Sequence, residues 1–116
     1  MNTQLDTERF LATHGLPQGG FLLEKLAVAR LGRDMRVHLR YAPWTDGRAF
    51  VLVFHDCESL GWQVYADDEE WSGPDVAADV IGIDLLQGET PQRAVIHTDL
   101  FELSLSYRSI TVEKDW

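Results

Sequence analysis

The sequence predicts a mainly β domain, an antiparallel β-barrel or sandwich preceded by one short N-terminal helix. Three observations carry this prediction. Apolar and polar residues alternate in about seven or eight short segments from about residue 21 onward. Turn-forming residues separate those segments at regular spacing, and the clear helix signals lie before residue 16. With 116 residues, 45% of them apolar, the chain is expected to form a single domain, residues 1–116, around one core.

The N-terminal helix is predicted at about residues 6–14. Asp6 is a residue type that caps helix N-termini, because its carboxylate accepts from the first free backbone N–H groups. Gly15 stands where a left-handed residue ends a helix, and Leu16 is then placed to contact Leu11, as in a Schellman motif.

Residues 21–31 are ambiguous between helix and strand. They contain good helix formers, and Gly32 could end a helix. However, residues 35–41 alternate cleanly between apolar and polar side chains, and Gly32 to Asp34 then provides the turn of a hairpin. The strand interpretation is therefore preferred.

The remaining strands follow from the same alternation. Residues 49–54 are apolar on both faces and predict an interior strand covered on each side. Residues 66–79 carry an acidic run and a Gly-Pro pair, which predicts an exposed loop. The other predicted strands lie at residues 60–65, 81–85, 94–97, 101–107 and 110–112.

Net charge and cysteine content restrict the classes of partner and the cellular compartment that we expect. The net charge of −9 and the pI of about 4.7 disfavour nucleic acid and anionic membranes as partners. The longest apolar run, residues 49–54, is too short to span a bilayer. Lone Cys57 excludes an intramolecular disulfide, and the N-terminus lacks a secretory pattern, so a cytoplasmic protein without a cofactor is expected.

One basic stripe stands out in this acidic chain. Arg36, His38 and Arg40 follow a two-residue period, which places all three on one face of a strand. Such a face could bind a carboxylate or phosphate ligand. The ordinary alternative is that the stripe forms ion pairs within the protein.

Two further candidates involve histidine. His97 and Asp99 share a strand face and are the best candidate metal ligands, whereas His55 and its neighbour Asp56 point to opposite faces. The alternative for His97 and Asp99 is a pair of strand-end residues that stabilise a turn. Cys57 lies two residues from His55 and could be a nucleophile, but a buried, unreactive cysteine is the commoner arrangement.

Residues 80–86 and 94–103 resemble small uncharacterised cyanobacterial proteins with a cupin-like β fold. The resemblance implies a compact β-barrel and carries no activity with it. Metal-binding cupins have a Gly-x₅-His-x-His motif, which this chain lacks, since His38 and His55 each stand alone in their strands. The resemblance therefore implies no metal chemistry.

These observations favour a non-enzymatic binding or protein-interaction module. Its partner would be another protein or a second copy meeting at sheet edges, with Trp44, Trp71 and Trp116 as candidate contact residues. The alternative is a small-molecule-binding or enzymatic cupin-like barrel, whose mouth would gather the basic stripe and the His97 pair. A third hypothesis, an acidic inhibitor that mimics a polyanion, would need acidic residues on one face, and they are spread along the chain instead.

Overall fold

The computed structural model describes residues 3–16, 20–41, 48–65, 78–86 and 92–114. Within these ranges the protein has one helix, eight strands and a short 3₁₀ turn at Arg30–Gly32. In chain order the elements are α1 (Thr3–Thr13), β1 (Phe21–Ala29), β2 (Asp34–Tyr41), β3 (Arg48–His55), β4 (Ser59–Val64), β5 (Ala78–Leu86), β6 (Gln92–Thr98), β7 (Phe101–Tyr107) and β8 (Ser109–Glu113). The prediction of a mainly β fold with one short N-terminal helix is confirmed.

The strands form one antiparallel sheet in the order β4-β7-β6-β5-β1-β2-β3-β8. The link between its two halves is β5, because Ala78 and Asp79 pair with β1 while the rest of the strand pairs with β6. The sheet is not closed into a barrel, so among the described strands β4 and β8 are edges. The barrel alternative therefore does not hold.

Buried side chains from both halves form one core. The rings of Phe54 on β3 and Tyr107 on β7 meet edge to face with centroids 5.0 Å apart. Alternation explains the pattern, since every second residue of a strand points to the same side. The predicted apolar face of β7 is confirmed as buried, with Phe101, Leu103, Leu105 and Tyr107 all in the core.

The predicted face of β5 is partly wrong. Ile83 and Leu85 are buried, but Ile81 is 72% exposed. The pairing of β5 with β6 shifts between Val80 and Gly82, as at a β-bulge. A bulge inserts one residue, which turns Ile81 out of the alternation that its neighbours follow.

Helix α1 ends as predicted and begins earlier than predicted. Leu16 N–H donates to Leu11 O (2.8 Å), and Gly15, at φ 69°, donates to Ala12 O (3.1 Å), which together make a Schellman motif. The helix starts at Thr3 rather than at about residue 6. An acidic residue suits both a cap and a first helical turn, so its presence alone does not fix the start.

The strand interpretation of residues 21–31 is confirmed, because β1 pairs with β2 along its length. The turn between them lies at Arg30–Gly32, two residues before the predicted position. Arg30 and Leu31 have left-handed φ values of 52° and 58°. Such turns usually carry Asn or Gly at these positions, so Arg30 and Leu31 do not predict the turn from residue type.

Some predicted features lie outside the described residues. These include the acidic run at residues 67–70, Trp44, Trp71 and Trp116, and the loop predicted at 66–79 as far as residue 77. The last two residues of that predicted loop, Ala78 and Asp79, are instead the start of β5, because they pair with β1. In the described part of the chain, no helix has the length and apolar character needed to cross a bilayer.

Candidate functional site

The basic stripe lies on the outward face of β2, and both of its arginines contact carboxylates. Arg36 donates from both terminal nitrogens to the two carboxylate oxygens of Glu113 on β8, with Nη1 3.0 Å from Oε2. Arg40 Nε donates to Glu24 Oε1 on β1 at 3.0 Å. The bidentate hydrogen bonds lower the pKa of Glu113 and raise the pKa of Arg36. Glu24 lies on the adjacent strand β1, whereas Glu113 lies on β8, on the far side of β3.

His38 lies between these two arginines and is half-buried. Its pKa is lowered, first by burial and then by the positive charges of Lys25 and Arg36. Lys25 stands directly across from it on β1. The stripe is therefore on one face, as predicted, but its histidine is disfavoured as a cation.

The structure gives His97 and Asp99 different contacts. His97 Nε2 lies 3.0 Å from Asp84 Oδ2, and its Nδ1 lies 3.0 Å from Glu102 Oε1. Asp99 lies past the end of β6, where its carboxylate accepts from Asp79 N–H at 2.9 Å. The two carboxylates beside His97 lie at opposite ring nitrogens, so they do not converge on one point. Within the described residues no group of three His, Cys, Asp or Glu side chains is arranged to hold a metal ion.

Cys57 and His55 do not form a nucleophile–base pair. His55 Nε2 lies 2.9 Å from Thr111 Oγ1, and its Nδ1 lies 3.6 Å from Asp34 Oδ1. Cys57 is buried, its Sγ lies 3.5 Å from Phe54 O, and burial raises the pKa of its thiol. A protonated, buried thiol is a poor nucleophile.

Edge strand β4 exposes three large apolar side chains on one face. Leu60, Trp62 and Val64 are 56%, 48% and 46% exposed. In register they lie opposite the buried residues of β7, so they are on the core-facing side of the sheet. They are exposed because β4 is the last strand of its half. The opposed residues on β7 are Leu105, Leu103 and Phe101.

The backbone N–H and C=O groups of these three residues also have no strand partner in the described chain. Tyr65 N–H donates to Leu100 O at 2.8 Å, in the register of the β4–β7 pair. Hydrogen-bonded positions alternate along an antiparallel strand, so the odd-numbered residues of β4 bond to β7. Leu60, Trp62 and Val64 therefore direct their N–H and C=O groups toward the open edge, where the described chain places no further strand.

Two side-chain features accompany the backbone pairing of β4 with β7. The Trp62 ring stacks on Phe101 with centroids 4.3 Å apart and planes tilted by 20°. Gly61 lies directly across from Ser104, and a Cβ at Gly61 would clash with Ser104 Oγ. A glycine at this position allows the hydroxyl to lie against the backbone of β4.

The apolar surface continues onto the β1–β2 hairpin. A cavity of about 150 Å³ lies between the hairpin and the start of β4, with Val28, Met35 and Leu60 in its lining. Val28 is 62% exposed, and Leu31 at the tip of the hairpin is fully exposed. We call Val28, Leu60, Trp62 and Val64 the apolar rim. The alternation of residues 60–65 predicts a strand with Leu60, Trp62 and Val64 on one face, but it does not predict whether that face is buried or exposed.

A second, larger groove crosses the outer face of β4, β7 and β6. Its volume is about 420 Å³, and Ser59, Arg93 and Ser104 supply its polar lining. None of the five residues predicted as ligand or metal sites lines it. The predicted sites also lie on separate strands, since β5 and β1 stand between β6 and β2 in the sheet.

Comparisons with known proteins give a fold and no function. No protein family and no curated protein matches the sequence. The structure is similar to the crystal structure of an uncharacterized protein from Neisseria gonorrhoeae, with a TM-score of 0.61 and 13% sequence identity. The match covers 84% of this chain and 93% of that chain. At this identity the similarity shows a shared fold alone.

Proposed function

We propose that the protein is a non-enzymatic protein-interaction module that binds an extended segment by adding a strand to β4. One observation carries this proposal. The three residues of β4 that expose large apolar side chains are the same three whose backbone groups face the open edge. Strand addition uses both features, because main-chain hydrogen bonds give affinity and alternate side chains give specificity.

The two edge strands among the described strands, β4 and β8, differ in ways that favour β4 as the binding edge. Natural sheets protect their edges with charged side chains, proline or bulges. Edge strand β8 carries Glu113, which is ion-paired to Arg36, and Lys114 follows directly. Strand β4 has no charged residue, no proline and no shift of register. Among the described strands, an uncharged edge with exposed apolar residues is typical of a binding surface.

The alternative of a small-molecule site at the basic stripe has less support. Arg36 and Arg40 already contact Glu113 and Glu24, so an anionic ligand would have to displace those carboxylates. The finer architecture that fits the proposal is a cupin-like sandwich, supported by the single core that both halves share. A cytoplasmic location is part of the same proposal, and the single free cysteine supports it.

A peptide-display selection on the sparsely immobilised protein tests the function. We expect enriched peptides with alternating apolar residues, and we expect Leu60→Lys to reduce their affinity by about tenfold or more. Ile81→Lys is the matched control, since Ile81 is also an exposed apolar residue but lies on β5. Peptides that bind both variants as well as the parent, or no enrichment at all, would contradict the proposal.

A further inference from the structure

The open edge of β4 does not by itself determine which segment binds there, because any extended chain can form the same backbone hydrogen bonds. We infer that it is β4 of a second copy, so that the protein forms a two-fold symmetric dimer with Trp62 of each copy at the axis. This inference rests on the proposed function and names its partner.

The first argument is the self-complementarity of the strand. In an antiparallel pair centred on Trp62, Leu60 of one copy lies opposite Val64 of the other, and Trp62 lies opposite Trp62. All three residues have outward backbone groups, so each donates one hydrogen bond and accepts one across the axis. Registers centred on Gly61 or Gln63 pair only two of the three. Of these registers, the one centred on Trp62 therefore pairs the largest number of outward backbone N–H and C=O groups.

The second argument is charge. Each chain carries −9, so two copies repel each other over most of their surface. The segment from Ser59 to Tyr65 is uncharged, and Glu58 just before it lies 3.5 Å from Arg108 in an ion pair. Within residues 59–65, the pairing of two copies therefore places no like charges opposite each other.

The third argument is the apolar area that the pairing covers. Leu60, Trp62 and Val64 are about half exposed. In the proposed pair they would lie against Val64, Trp62 and Leu60 of the second copy, respectively. Val28 and the cavity beside Leu60 extend this surface beyond the strand. Apolar contact next to backbone pairing is what a strand-mediated dimer needs for stability.

A charge-swap experiment tests both the partner and the register. Leu60→Lys and Val64→Glu are made singly and together, and the mass of the full-length protein is followed by sedimentation from low micromolar to millimolar concentration. Each single variant places a charge opposite an apolar residue, so its dimer dissociation constant should rise about tenfold or more. In the double variant the lysine at position 60 faces the glutamate at position 64 of the other copy, and the dimer should return. Within one chain these positions are roughly 13 Å apart, too far to pair.

Ile81→Lys is the control and should dimerise like the parent protein. Both target side chains are half exposed, so circular dichroism should find all variants folded. A dimer that neither single variant weakens, or that the double variant does not restore, would overturn the inference. A parent protein that stays monomeric while displayed peptides still bind β4 would overturn the dimer and leave the interaction function standing. A monomer that binds no peptide would remove both.

Discussion

Tyr107 is buried completely, and its hydroxyl has no hydrogen-bond partner among the described residues. Burying an unpaired hydroxyl costs free energy, and burial also raises the pKa of Tyr107 to about 12. We expect Tyr107→Phe to increase the free energy of unfolding by about 1 kcal/mol, since it keeps the ring and removes the unpaired group. Urea denaturation at neutral pH measures this change.

The same residue predicts a dependence on alkaline pH. The pKa of Tyr107 is higher in the folded protein than the ordinary value of 10.0. Below pH 10 the hydroxyl is protonated in both the folded and the unfolded state. As pH rises from 10 toward 12 it ionises first in the unfolded chain, so the folded state loses stability over this window. The parent protein should lose more stability over this window than Tyr107→Phe does. A variant that is destabilised at neutral pH would mean that the hydroxyl has a partner.

Glu113 predicts the opposite dependence, in acid. Its pKa lies below the ordinary value of 4.5 because it accepts hydrogen bonds from Arg36. The stabilisation is present above pH 4.5 and is lost as pH falls through the lowered pKa. Glu113→Gln should therefore be less stable than the parent at pH 7, and the difference should shrink to nothing in strong acid.

Thermal unfolding between pH 2 and pH 7 measures this difference, and Arg36→Ala provides the control. With the guanidinium absent, Glu113→Gln should no longer produce a difference that depends on pH. A difference that persists in the Arg36→Ala background would assign the lowered pKa to another group.

At the scale of the elements, β7 and β5 offer a matched comparison of a buried and an exposed apolar residue. Leu103 is fully buried at the centre of β7, and Ile81 is 72% exposed at the bulge of β5. We expect Leu103→Ala to cost about 3 kcal/mol, because it leaves a cavity in the core. Ile81→Ala should cost less than about 0.5 kcal/mol. Equal costs measured by chemical denaturation would contradict the assigned faces.

Strand alternation made most elements predictable from sequence, and it failed where burial depends on distant neighbours. The pattern of β7 predicts its buried face because strands lie on both sides of it. The pattern of β4 is as regular, but only β7 pairs with it, so Leu60, Trp62 and Val64 are left exposed. The residue pattern of 59–65 does not indicate that this strand lies at the edge of the sheet.

The candidate sites show the same limit. Periodicity correctly placed Arg36 and Arg40 on one face of β2. Their carboxylate partners are Glu113, which is 77 residues away, and Glu24 on the preceding strand. His97 and Asp99 share a face only if the strand continues, and β6 ends at Thr98. Spacing within a strand cannot show where pairing stops or which strand becomes the neighbour.

At the scale of the whole molecule, the two edges among the described strands, β4 and β8, result from one interruption in a long two-stranded antiparallel pairing. The β3–β8 pairing continues into the β4–β7 pairing, linked by Arg108 N–H to His55 O (2.9 Å) and Glu58 N–H to Ser106 O (3.1 Å). At the break Asp56 adopts a left-handed φ of 55°. Beyond it the chain passes from one half of the sheet to the other, so β4 and β8 end at opposite edges.

This arrangement predicts how salt affects association of the whole molecule. Two chains of −9 repel each other, while the β4 surface that we propose to join them is uncharged. Raising the salt concentration from about 0.01 M to about 0.15 M shortens the screening length from about 30 Å to about 8 Å. The repulsion is screened and the apolar contact is not, so the dimer should tighten several-fold. Sedimentation at the two salt concentrations measures the dissociation constant, and weakening with salt would mean that ion pairs, rather than the apolar rim, join the copies.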